Sequence, residues 1–120
     1  MLFRSVEETV SGKRVVLVDD SIVRGTTIKQ TVKMLKDAGA KEVHIRISSP
    51  KVTHSCYLGM DTPKRENLIG SDKTEEEVEE IIGADSLHFL SLDGMLQAVG
   101  KNNGFCKGCF TGNYPVERME

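Results

Sequence analysis

Two adjacent carboxylates, Asp19 and Asp20, end the apolar run Val15-Val16-Leu17-Val18, and Ser21-Ile22-Val23-Arg24-Gly25-Thr26-Thr27 follows at once. Carboxylates hold Mg²⁺ or accept hydrogen bonds from sugar hydroxyls. A glycine and two threonines opening a helix can cradle a phosphate, because the first amides of a helix are unpaired and partly positive. Gly25 permits close backbone approach or positive φ. Thr26 and Thr27 add neutral hydroxyl donors, and Arg24 is either a cation for the ligand or half of a surface ion pair. These residue types suggest a ligand that combines Mg²⁺, a polyol and a phosphate. The spacing alone leaves a plain strand–turn–helix open, and paired acids after a buried strand also occur in receiver domains and nucleotide hydrolases. Ser21 has no visible histidine partner, so no nucleophilic triad is read.

The second chemical feature is sulfur. Cys106 and Cys109 form a Cys-x₂-Cys pair near the end of the chain, and Cys56 stands alone fifty residues earlier. Thiolates select zinc or iron–sulfur clusters, but three are one short of the usual four. His54, two residues before Cys56, would complete a Cys₃His zinc set. Free or buried thiols are the third possibility.

The elements that must carry these residues follow from periodicity. Arg14–Val18 is β-branched and does not alternate, which reads as a strand buried on both faces. Ile28, Val32 and Leu35 share one helical face, with Thr26 or Thr27 as N-cap and Gly39 as the stop. Glu42–Ile47 alternates and reads as a second strand. Strand, helix, strand is a βαβ unit, hence a parallel pair with a right-handed crossover. Thr62-Pro63 reads as N-cap and first residue of a short helix reaching Ile69. Thr74-x-x-Glu77 is a capping-box pattern before a helix that ends near Gly83. Leu87–Leu90 is a short strand, and Ser91 caps a helix with Leu92, Met95, Leu96 and Val99 on one face. The glutamates from Glu75 to Glu80 read as a solvated helix start, favourable to the helix dipole. The expected class is α/β, a three-layer arrangement around a mostly parallel sheet of at least three strands. Residues 1–13 read as a lead-in, 14–100 as the α/β domain and 101–120 as a cysteine-containing tail.

Composition narrows the function classes. Of 120 residues, 16 are Lys or Arg and 18 are Asp or Glu, a net charge of −2, which argues against general nucleic-acid binding. The hydrophobic share is 38%, below the usual 45–50% or so, so the core is thin. The longest apolar run, Val15–Val18, is far short of the roughly 20 residues of a membrane span. Met1-Leu2-Phe3-Arg4-Ser5 lacks a signal-peptide core. An odd number of cysteines without a secretion signal fits a reducing, cytoplasmic setting.

Residues 18–27, Val-Asp-Asp-Ser-Ile-Val-Arg-Gly-Thr-Thr, resemble the phosphoribosyl-pyrophosphate (PRPP) loop of type I phosphoribosyltransferases, in the version found in amidophosphoribosyltransferases. Further segments resemble the same family: 38–43, Arg46-Ile47-Ser48-Ser49-Pro50, Asp61-Thr62-Pro63, 83–87 and Cys109-Phe110-Thr111-Gly112-Asn113-Tyr114-Pro115. The resemblance extends from about residue 12 to 116 and implies a partial type I phosphoribosyltransferase fold. By it, Asp19 and Asp20 would contact the ribose hydroxyls of PRPP and the Mg²⁺ ion. Ser21, Arg24, Gly25, Thr26 and Thr27 would complete the PRPP site, the loop amides and threonines on the 5-phosphate. Cys56, Cys106 and Cys109 would be three ligands of a 4Fe-4S cluster, as in some members, with the fourth cysteine N-terminal to the PRPP loop.

The family's reaction, in purine synthesis, converts PRPP, glutamine and water to 5-phosphoribosylamine, glutamate and pyrophosphate. Its enzymes are larger and carry a glutaminase half with an N-terminal cysteine. Here the chain begins Met1-Leu2, a departure that implies a C-terminal portion without the glutaminase half or the earlier transferase region. Such a portion is expected to be inactive alone, to lack a catalytic acid or base, and to belong to a homo-oligomeric parent with no nucleic-acid or membrane partner. The alternative is a non-catalytic PRPP-binding or regulatory module of the same fold. A third possibility is a truncated product with no function of its own.

Overall fold

The computed structural model describes residues 7–60, 62–100 and 104–116. The expectations attached to Met1–Val6, Asp61, residues 101–103 and residues 117–120 lie outside them. In chain order the elements are β1 (Arg14–Asp19), α1 (Thr26–Asp37), β2 (Glu42–Ile47), a 3₁₀ turn (Arg65–Asn67), α2 (Glu75–Ile82), β3 (Ser86–Phe89), α3 (Leu92–Ala98) and a one-turn helix α4 (Gly108–Thr111). A helical stretch at 7–10 precedes them. No helix among the described residues is long and apolar enough to cross a membrane.

The sheet is parallel, in the order β1-β2-β3. Arg14 faces Glu42 and Asp19 faces Ile47 in the first pair, while His44 faces Ser86 and Ile47 faces Phe89 in the second. The expected α/β class and parallel βαβ unit are therefore present. α1 and α2 turn Ile28, Val32, Leu35, Val78 and Ile82 onto Val43, Ile45, Ile47 and Leu87, all buried. Val10, from the stretch read as lead-in, is buried in the same cluster, and Gly12 and Lys41 tie that stretch to the end of α1 and the start of β2.

Side-chain bonds finish the ladders. Asp85 Oδ2 accepts the Val43 amide at 2.7 Å while the Asp85 amide donates to Val43 O at 2.8 Å, so one residue satisfies both sides of a strand position. Glu75 Oε1 accepts the Phe89 amide at 2.9 Å, so the first glutamate of α2 fastens β3 as well as serving the helix dipole. The capping box at Thr74 and Glu77 is formed in both directions, and Gly83 ends α2 in a left-handed conformation.

Three local expectations are corrected. β1 is not buried on both faces: Val15 and Leu17 face the helices, but Val16 and Val18 are 62% and 68% exposed. A non-alternating run signals two apolar faces, and among the described residues only one of them is covered. The N-cap of α1 is Gly25, left-handed and without a side-chain cap, in place of Thr26 or Thr27. The helix expected from Thr62 to Ile69 shrinks to the 3₁₀ turn.

Candidate functional site

Residues 19–28 enclose a cleft of about 570 Å³ beyond the carboxyl end of β1, with Thr62 and Pro63 on its far wall. Ligands of open α/β sheets sit at this end of the strands. The end of β1 is fixed, because Asp19 O accepts the Ser48 amide at 3.0 Å. Asp19 Oδ1 accepts the Asp20 amide at 2.8 Å, and the Ser21 hydroxyl donates to Asp20 Oδ1 at 3.3 Å. Each contact occupies one oxygen of a carboxylate, which leaves the other for a cation or a hydroxyl. Ile22, 3% exposed, roots the loop in the core.

The loop then turns into α1 at Gly25, where φ is +84°. The first helical bond runs from Lys29 N–H to Gly25 O at 3.0 Å. The amides of Thr26, Thr27 and Ile28 lie ahead of it and are the unpaired donors of a helix start. No acidic residue occupies the first turn of α1, so the partial positive charge there is not cancelled. Arg24, Thr26 and Thr27 are exposed and line the cleft. Arg24 makes no ion pair among the described residues. One cavity therefore presents two carboxylates at one side and helix amides, hydroxyls and a guanidinium at the other. That arrangement can hold a divalent cation beside an anion.

The seven loop residues proposed from the sequence are thus brought together. Thr62 and Pro63 were read as a helix start and as part of a family-like segment, with no place in the site, yet they line the cleft. Ile69 was read as the end of that helix. Its amide donates to Val23 O at 3.0 Å and its Cδ1 lies against Gly25. These contacts join residues some forty positions apart, and no local pattern reports them.

The three cysteines are free thiols. Cys56 Sγ accepts the Leu58 amide at 3.3 Å. Backbone N–H groups of Leu58, Met60 and Gly59 favour its thiolate and pull it below its ordinary 9.0, against the effect of burial. Burial pushes the Cys109 thiol up, and negative charge on Cys56 and Cys106 adds to that. Cys56 and Cys106 thus both lie within electrostatic reach of Cys109. Among the described residues, however, no three His, Cys, Asp or Glu side chains are gathered as a metal site. The arrangement as it stands fits neither a cluster nor the Cys₃His zinc set. The His54 ring is engaged with the Thr53 hydroxyl at 2.8 Å, and burial and the nearby Arg65 hold its pKa below 6.5.

Comparison with known proteins places this geometry in context. Residues 2–54 match the phosphoribosyl transferase domain family. Over 98% of its length the chain is 52% identical to an amidophosphoribosyltransferase of Bacillus subtilis, of which it covers 26%. Over 96% it is 54% identical to amidophosphoribosyltransferase 1, chloroplastic, of Arabidopsis thaliana, covering 20% of that protein. The glutamine PRPP amidotransferase of B. subtilis, solved in complex with ADP and GMP, superposes with a TM-score of 0.86 at 51% identity, over 93% of this chain and 26% of that one. The chain spans a fifth to a quarter of the length of these relatives.

Proposed function

We propose that this chain, similar over nearly its whole length to amidophosphoribosyltransferases, is part of the type I phosphoribosyltransferase domain of such an enzyme, and that the cleft of residues 19–28 is its PRPP site. The observation that supports this most is the shared cavity: two carboxylates and the open amides of α1 face one space of about 570 Å³. In this reading Asp19 and Asp20 take the ribose hydroxyls. The amides and hydroxyls of Thr26 and Thr27 take the 5-phosphate, with Gly25 allowing close approach. Ser21 holds Asp20 in place, and Arg24 supplies positive charge at the rim.

The reaction proposed for the whole protein is displacement of pyrophosphate from PRPP by ammonia released from glutamine, the entry to purine synthesis. The part played by these residues is positioning. Holding the sugar by its hydroxyls at one end and its phosphate at the other fixes the anomeric carbon for in-line attack, and such orientation is a large share of catalysis in many enzymes. Fixed dipoles around the sugar also stabilise the charge that develops as the leaving group departs. Mg²⁺, when bound through Asp19 or Asp20, supplies charge that screens the anionic ligand; carboxylate oxygens suit it. No acid–base residue is assigned here.

Residues 14–100 are read as the domain segment and 101–120 as its tail, in a protein proposed to be cytoplasmic and homo-oligomeric. For Cys56, Cys106 and Cys109, ligation of a 4Fe-4S cluster stays a proposal supported by the influence of Cys56 and Cys106 on the Cys109 thiol. It requires a rearrangement and a fourth ligand.

Calorimetric titration of the chain with PRPP, with and without Mg²⁺, tests the site. The expected result is saturable, Mg²⁺-dependent binding that disappears in the Asp19→Asn, Asp20→Asn double variant. Equal binding by the folded double variant, or no binding by the folded wild-type chain, would sink the reading that this cleft is an autonomous PRPP site.

A further inference from the structure

The tail and the cleft are joined through one loop. Cys109 O accepts the amides of Thr53 and His54 at 2.9 and 3.0 Å. The Thr53 hydroxyl reaches Cys109 O at 3.3 Å and Phe110 O at 3.2 Å. The Tyr114 hydroxyl donates to Ser55 O, and its ring packs on Tyr57 with centroids 4.9 Å apart. Gly108 is required by this docking, since a Cβ there would overlap the Tyr114 ring. The clasp is thus built from backbone, side chains and close packing together.

The clasped loop continues directly to the cleft. The Ser55 hydroxyl donates to Pro63 O at 2.7 Å, and the Cys56 amide donates to Thr62 Oγ1 at 2.8 Å. Thr62 and Pro63 are the far wall of the cavity. Arg65 Nε also returns to Thr53 O at 3.3 Å, and four residues later Ile69 braces Val23 and Gly25.

We propose that the tail segment 107–114 is a positioning brace for the phosphate cleft: by clasping Thr53–Ser55 it holds Thr62 and Pro63 across from the loop amides and so sets ligand affinity. Thr53 and Tyr114 act through Thr62 and do not touch the ligand. The proposal rests on the reading of the cleft as a phosphate-sugar site, and it extends that reading to a part of the chain outside the loop.

The test uses the 120-residue chain and two remote changes, Tyr114→Phe and Thr53→Val, with Thr53→Ser as the conservative control. The first readout needs no ligand: amide resonances of Thr62 and Gly25 in ¹H–¹⁵N spectra. Both changes are expected to shift them, while Thr53→Ser leaves them near wild type. The second readout is affinity for ribose 5-phosphate with Mg²⁺. The loss of one or two hydrogen bonds from the brace is expected to weaken it by about three- to tenfold, with the serine variant restored. Unmoved Thr62 and Gly25 resonances in folded Tyr114→Phe and Thr53→Val would overturn the brace. Wild-type protein that fails to take ribose 5-phosphate removes the ligand reading, and the resonances still decide whether the tail holds the wall.

Discussion

Gly25→Ala is the most incisive single change for the loop, because two separate costs meet at one atom. The backbone there is left-handed, with φ at +84°. An L-residue in that region costs about 1–2 kcal/mol. The added Cβ would also lie 2.5 Å from Ile69 Cδ1; that methyl is the free end of a half-buried side chain and can turn aside, so the overlap adds about 1 kcal/mol, the low end of overpacking costs. The sum is about 2–3 kcal/mol, a large fraction of the total stability of a small domain. The two parts can be separated, since Ile69→Val deletes the Cδ1 atom that the new methyl would strike. Alone, Ile69→Val should cost about 0.5–1.5 kcal/mol. Combined with Gly25→Ala it should return most of the steric part, leaving the backbone cost. Urea denaturation of the four proteins measures this as a double-mutant cycle. A Gly25→Ala cost below about 0.5 kcal/mol, the scale of a neutral surface change, would refute the whole argument. Strict additivity of the two substitutions would refute the clash while leaving the dihedral cost standing.

Two further outcomes test other parts of the structure. Thr74→Ala removes the acceptor of the Glu77 amide and should destabilise the chain by about 1 kcal/mol in urea titration, with Thr74→Ser close to wild type. For the thiols, a lowered pKa gives more thiolate at any pH below it, and thiolate is the form that reacts. Near pH 8, iodoacetamide should therefore label Cys56 faster than Cys109 in peptide mass analysis, since backbone N–H groups pull Cys56 down and burial pushes Cys109 up. The opposite order would count against the arrangement around both sulfurs.

The legible part of the fold was the part whose cause is local. Ile28, Val32 and Leu35 announce the inner face of α1 because a helix repeats every 3.6 residues or so. Thr74 and Glu77 announce α2 because the capping box spans a single turn. Gly39, at φ +96° just past α1, ends it as its type suggests. The loop from Asp19 to Thr27 was legible for the same reason, since strand end, turn and helix start are contiguous. The N-cap was misread because Thr is a good cap in isolation, whereas this helix begins on a glycine whose left-handed turn leaves the first amides open. Thr62, Pro63 and Ile69 were missed at the cleft because their place is set by contacts with residues far away in the chain. Val16 and Val18 misled in another way: apolar type reports a preference for burial, and within this chain nothing described satisfies it.

That bare strand face has a practical side. Among the described residues β1 pairs only with β2, so half of its peptide groups point away from the sheet beside the uncovered Val16 and Val18. An edge of that kind is a template for strands from other molecules. Its middle is neutral, with Arg14 before it and Asp19 and Asp20 after it, so two copies laid head to tail would set opposite charges against each other at both ends. Protein concentration and salt thus become experimental variables in their own right. Light scattering across a dilution series would mark where self-association begins, and the affinities and unfolding energies above belong below that point.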